Sequence, residues 1–190
     1  MSLIVITKPD GLEDIELLQK MFDEGLELLY LRKPNWAKEE YEVFFENIGE
    51  AFFSKIFVHI NAPVCSEMKL WGRHFSYNDL DRSLNNNIDS VSVHSILEYE
   101  AVFDIAKQVF VSPFFDSISK EGYKQNQNLW KFPKEIDLSK MVALGGVNAA
   151  NVFSLVDIGV EQFAVLGAVW NNDDPLKAFG EIKQTIARCQ

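Results

Sequence analysis

Two apolar runs near the C-terminus, residues 141–144 (MVAL) and 163–166 (FAVL), each stop abruptly at glycine. The first runs into Gly145-Gly146-Val147-Asn148 and the second into Gly167-Ala168. Glycine lets backbone approach a ligand closely, and a following helix N-terminus offers unpaired N–H donors and partial positive charge. Two such turns at the ends of successive strands predict a phosphate cup. In (β/α)8 barrels that cup sits in the loops after strands 7 and 8, so this reading requires six strands upstream.

The periodicity supplies them. Residues 3–7, 27–32, 55–61, 72–76, 88–94 and 108–112 read as strands, followed by 141–144 and 162–166. Helical stretches alternate with them over 12–24, 36–53, 63–70 (weak), 78–84 (a stub) and 149–158. Ser95-Ile96-Leu97-Glu98 has capping-box spacing after the fifth strand. Asp174-Pro175 offers an N-cap and a first-turn proline, with Leu176, Phe179, Ile182 and Ile186 on one face of the last helix. Eight alternations predict an α/β chain folded as a compact (β/α)8 TIM barrel with shortened fourth and sixth helical units, one domain over residues 1–190. A doubly wound sheet competes, but no GxGxxG follows the first strand. The irregular stretch 113–133 exceeds the usual loop of roughly 12–15 residues and reads as an active-site lid.

A net charge of −10 disfavours a nucleic-acid groove or an anionic membrane surface, because the mean field repels phosphate polymers. A small phosphorylated ligand remains compatible where cations and N–H groups cluster. Cys65 and Cys189 form no CxxC or Cys/His pattern, which argues against a disulfide or zinc framework and for a reducing, cytoplasmic setting. No apolar run is long enough to span a membrane, and no basic flank or cleavage site precedes the first strand. A homodimer is the assembly admitted.

The expected strand ends carry Thr7 and Lys8, Arg32 and Lys33, Asn61, Ser76 with nearby Asp79, Ser92 and His94, Ser112, Gly145 and Gly146, and Gly167. Such ends make an anion-seeking mouth. His94 directly precedes an N-cap, so its imidazole is expected to face that mouth, where the helix N-terminus disfavours the imidazolium and keeps a neutral base available. Plain hydrogen bonding is its alternative role. His59 and His74 lie inside strands without metal-ligand spacing and read as hydrogen-bonded structural histidines. Arg32-Lys33 suits a grip on phosphate or forms a solvated turn. Ser117, Ser119 and Lys120 contact ligand or are ordinary lid polarity, and Phe44, Phe45, Phe52 and Phe53 read as helix packing.

With these residues in place the chain resembles the thiamine-phosphate synthase and TenI family of (β/α)8 barrels. The resemblance runs essentially end to end, strongest in Ser92-Val93-His94-Ser95, in 112–120 (SPFFDSISK) against the family's G-P-[VI]-F-x-T-x-[ST]-K loop, and in the two glycine turns. It departs at the second strand, where Q-L-R-x-K stands as Tyr30-Leu31-Arg32-Lys33-Pro34, with Lys33 one position from the family's lysine. The Asn-Asp pair after the third strand is Asn61-Ala62, and G-V-H-x-G-Q-x-D is Gly72-Arg73-His74-Phe75-Ser76-Tyr77-Asn78-Asp79.

The resemblance implies thiamine biosynthesis on a thiazole phosphate, a small phosphorylated heterocycle. A TenI-like thiazole tautomerase, needing no cofactor, would use His94 as acid/base at a ring carbon and nitrogen. Gly145, Gly146, Gly167 and Ala168 would hold the phosphate, with Arg32, Lys33, Asn61, Ser92, Ser117, Ser119 and Lys120 on the substrate. A divergent synthase joining a pyrimidine diphosphate to the thiazole phosphate would need Mg²⁺, with Asp79 as its protein ligand. A binding or regulatory protein without turnover is the third alternative.

Overall fold

The computed structural model describes residues 1–12, 14–80, 88–117, 122, 124–133 and 135–189. Among them eight parallel strands close a barrel in chain order: β1 (Ser2–Ile6), β2 (Leu28–Leu31), β3 (Ile56–His59), β4 (Gly72–Ser76), β5 (Ile88–Val93), β6 (Ala106–Val111), β7 (Met141–Ala143) and β8 (Gln162–Val165). β8 pairs back on β1, with Ile4 opposite Ala164. Side chains alternate across each strand, so both faces must be apolar in a covered parallel sheet. On β1, Leu3 and Val5 pack outward against helices while Ile4 and Ile6 join Tyr30, Phe57, Phe110, Val142 and Ala164 inside the barrel. Tyr30 and Phe57 stack there at 4.8 Å.

The helices are α1 (Ile15–Asp23), α2 (Lys38–Ile48), α3 (Ile96–Val102), α4 (Val152–Val156), α5 (Gly167–Trp170) and α6 (Pro175–Arg188). Capping places several starts: the side chains of Asp14, Ser95 and Asp174 accept from the N–H groups of Leu17, Glu98 and Lys177.

Three expected helices differ. The stretch 36–53 breaks at Gly49, whose φ of 92° ends α2 before a 3₁₀ turn, Glu50–Lys55. The stretch 63–70 is not helical; Pro63 lacks an N–H, and the Arg73 guanidinium takes the Ala62 and Val64 carbonyls at 3.2 and 3.3 Å. α4 is five residues rather than ten, because the Asn148 side chain accepts from Ala150 N–H at 2.8 Å and Asn151 accepts from Asn148 N–H at 2.9 Å, a local alternative to helix.

The fourth unit is a 3₁₀ turn, Tyr77–Asp79, and residues 81–84 of the expected stub lie outside the described residues. The sixth unit is the long loop, whose described residues include a 3₁₀ turn, Gln127–Trp130. No helix of the described residues is long and apolar enough to cross a membrane.

Candidate active site

All strand C-termini open toward one end, and the loops there enclose a cavity of about 600 Å³. Arg32, Lys33, Asn61, Ser92, His94, Ser117, Gly145, Gly146, Gly167 and Ala168 all line it, as the sequence predicts. Ser119 and Lys120 lie outside the described residues. Asp79 is exposed on its 3₁₀ turn and does not line the cavity, whereas its neighbour Asn78 does.

His94 is held from three directions. Its backbone N–H donates to Glu98 Oε2 at 2.7 Å, and its carbonyl accepts from Asn126 Nδ2 at 3.0 Å. The ring Nδ1 lies 3.0 Å from the Ser112 carbonyl oxygen. A carbonyl only accepts, so Nδ1 carries the proton and Nε2 of the neutral ring keeps its lone pair. The capping box is thereby extended: Glu98 reaches the residue before the N-cap.

The long loop ties into this arrangement. Phe114 and Phe115 N–H donate to the carbonyls of Leu144 and Gly145 at 3.0 and 2.9 Å, and Trp130 Nε1 donates to the Phe114 carbonyl at 3.0 Å. Gly145 and Gly146 have φ of 94° and 68°, and a Cβ on either would strike this loop, at Pro113 Cα (2.7 Å) for Gly145 and at Phe115 and Asp116 for Gly146. The glycine pair thus has a second physical cause beyond ligand approach, which is close packing against the base of the loop. Across the cup, Gly167 opens α5, so the first N–H groups of that turn lack intrahelical partners.

The opposite wall holds its lysine in place. Lys33 is 2% exposed, donates to the Gly11 carbonyl at 2.8 Å and sits 5.0 Å from the Trp36 ring. This anchorage secures the β1–α1 loop and leaves Lys33 poorly suited to replace the family's displaced lysine. Arg32 is half-buried, its backbone N–H donating to Thr7 Oγ1 at 2.9 Å, which fastens the end of β2 to the end of β1.

Two further residues line the cavity, His74, which the sequence read as structural, and Tyr30, to which it gave no role. His74 is hydrogen-bonded as expected, to Ser90 and Ser92, yet it also lines the cavity floor. Burial, reinforced by His59 and Arg32, pushes its pKa down to about 3 and keeps it neutral. Tyr30 sits beside it at 4.6 Å, its phenol pushed well above its ordinary range chiefly by burial. The inward parity of β2 and β4 is the sequence signal that places both.

No group of three His, Cys, Asp or Glu among the described residues stands close enough to hold a metal. Glu98, the only carboxylate among the described lining residues, already holds the His94 N–H. Mg²⁺ is bound through carboxylate oxygens and substrate phosphate. With Asp79 outside the lining, the donor set of the described residues does not fit a protein-held Mg²⁺.

Residues 1–169 match the family model described as Thiamine monophosphate synthase. Among curated relatives, a thiamine-phosphate synthase of Prochlorococcus marinus is 25% identical over 183 residues, covering 92% of this chain and 50% of that protein. The chain therefore spans about half the length of that relative. One from Psychrobacter is 24% identical over 86% of this chain and 84% of that protein. The crystal structure of a thiamine phosphate pyrophosphorylase from Bacteroides thetaiotaomicron superposes with a TM-score of 0.79 at 27% identity, covering 98% of each chain. A Pyrococcus furiosus pyrophosphorylase, 20% identical and covering 99% of this chain and 96% of its own, gives 0.80 and supports the fold.

Proposed function

The chain belongs to the thiamine monophosphate synthase/TenI family, and on that premise we propose that it is a TenI-like thiazole tautomerase with His94 as acid/base. The observation that carries this reading is the fixed imidazole: Nδ1 is committed to the Ser112 carbonyl, leaving Nε2 as the proton-transfer atom on a residue that lines the cavity. Nε2 removes a proton from a ring carbon of the bound thiazole, and the resulting imidazolium returns it at another atom of the conjugated system, so the reaction is a net isomerisation. The substrate phosphate rests on backbone N–H groups at Gly145, Gly146, Gly167 and Ala168, with Arg32 and Ser117 on polar groups of the ligand. This chemistry requires a placed base and an anion anchor, and it needs no metal.

A second reading, a divergent synthase joining a pyrimidine diphosphate to the thiazole phosphate, is favoured by the names of the relatives. Departure of diphosphate calls for converging cations and metal. The carboxylate set that this reading needs for Mg²⁺ is not found among the described residues of the cavity.

The purified protein is given the pyrimidine diphosphate, the aromatic thiazole phosphate and Mg²⁺, and thiamine phosphate is read as thiochrome fluorescence. No product, together with isomerisation of the non-aromatic thiazole carboxylate phosphate that disappears in His94→Ala, is the expected result. Thiamine phosphate formed at a catalytic rate overturns the proposal in favour of the synthase. Ligand binding with neither reaction leaves a non-catalytic binding protein.

A further inference from the structure

Beneath the ligand cavity, His74 lies in a chain of hydrogen bonds across β4 and β5. The strand register sets His74 against Ser90 and Ser76 against Ser92. The imidazole Nδ1 is 2.9 Å from Ser90 Oγ, and Nε2 is 2.7 Å from Ser92 Oγ. Ser90 is fully buried, and its hydroxyl reaches the Arg73 carbonyl at 3.4 Å. Ser92 is half-buried and lines the cavity. Around the ring stand Tyr30 at 4.6 Å, Phe110 edge-on at 5.1 Å and Phe57 at 6.2 Å, which fix its plane.

A neutral imidazole has one donor and one acceptor, so the chain runs in one of two directions. The Arg73 carbonyl only accepts, so its contact uses the Ser90 hydroxyl proton. All three contacts are satisfied together only when Ser92 donates to Nε2, Nδ1–H donates to Ser90, and Ser90 donates to Arg73.

We propose that His74 is a positioning residue that draws the Ser92 hydroxyl proton inward and leaves Ser92 facing the cavity as a hydrogen-bond acceptor for a ligand N–H group. The site then favours a nitrogen heterocycle in a form carrying N–H, and it meets a bare ring nitrogen lone pair to lone pair. For the proposed tautomerase this favours a ring form protonated at nitrogen over the aromatic form; that consequence rests on the thiazole reading, whereas the direction of the chain does not.

Side-chain ¹⁵N–¹H spectra of the intact protein at neutral pH test the direction. The expected result is a His74 proton on Nδ1 in the wild type, moved to Nε2 in Ser90→Ala, which removes the acceptor for Nδ1–H. A wild-type proton on Nε2, or a Ser90→Ala protein that keeps it on Nδ1, overturns the proposal. Titration with the aromatic thiazole phosphate, whose ring nitrogen only accepts, tests the consequence. Once the tautomer has flipped, Ser92 is free to donate, and Ser90→Ala should bind this probe about fivefold tighter than wild type. Equal or weaker binding despite a flipped tautomer overturns the placing of Ser92 against the ring while leaving the direction of the chain intact.

Discussion

The mouth of the barrel is built to two standards. Around β5 to β8, His94 is secured by Glu98, Asn126 and the Ser112 carbonyl, and the long loop is hydrogen-bonded to the end of β7 over the glycine pair. Around β3 and β4, the connection contains no helix, Arg73 braces it through the Ala62 and Val64 carbonyls, and Asp79 stands exposed outside the cavity. Moving a proton needs one base with a fixed tautomer. Expelling a diphosphate needs several charges converging on a leaving group. The well-tied side presents one such base, and among the described residues the sparse side presents no such convergence of charge.

The largest blow to this contrast should come from the tied side. His94→Ala is expected to lower tautomerisation by about 10²–10⁴-fold with an unchanged melting temperature, measured by turnover and calorimetry side by side. Retained turnover would remove the β5–β6 side from the chemistry. Next, Gly146→Val sets a branched side chain at φ 68° against Phe115 and the Asp116 carbonyl. Strain and steric conflict should destabilise the fold by about 3 kcal/mol or more in urea denaturation; a loss under about 1 kcal/mol would show that the loop yields easily there.

An intermediate effect comes from His74, between the two sides. Its folded pKa lies near 3 against 6.5 in the unfolded chain, so below about pH 6.5 the unfolded chain binds a proton that the native state refuses. Its contribution is complete above that pH and is lost as pH falls toward 3, by up to ~1.4 kcal/mol per pH unit. Urea midpoints at pH 7 and pH 5 should differ in that sense, and the difference should shrink in His74→Phe. The smallest effect should come from the sparse side: Asp79→Asn should change tautomerase activity less than about twofold, within the range of an exposed substitution. A tenfold loss accompanied by Mg²⁺ dependence would move the chemistry across the mouth.

What sequence reading recovered and what it missed follow from the range of the forces involved. Ser95 with Glu98 and Asp174 with Pro175 are local signals, and both helices begin where those residues place them. Alternating apolar strands gave the eightfold order, and every described residue nominated for the ligand except Asp79 lines one cavity. The end of α2 was overrun because Phe52 and Phe53 continue an apolar pattern past Gly49, and pattern alone does not reveal a left-handed residue. The missing helix after β3 depends on Arg73, a partner from the next strand. Lys33 lines the cavity as nominated, but its anchors, Gly11 and Trp36, come together only when the β1–α1 loop folds over it, so its burial was not legible in the sequence. His74 was correctly read as hydrogen-bonded, but the serines that bond it belong to the neighbouring strand.

The closure between β1 and β8 joins segments that synthesis makes far apart in time. Ile4 faces Ala164, and Trp170 Nε1 donates to the Ile6 carbonyl at 2.7 Å across 164 positions of chain. Until β8 leaves the ribosome, β1 carries an edge with no neighbour, and unpaired edges recruit other strands. β1 is therefore completed only after the other seven strands of the barrel have been made, and its open edge is a point of vulnerability for as long as the residues between β1 and β8 are being translated.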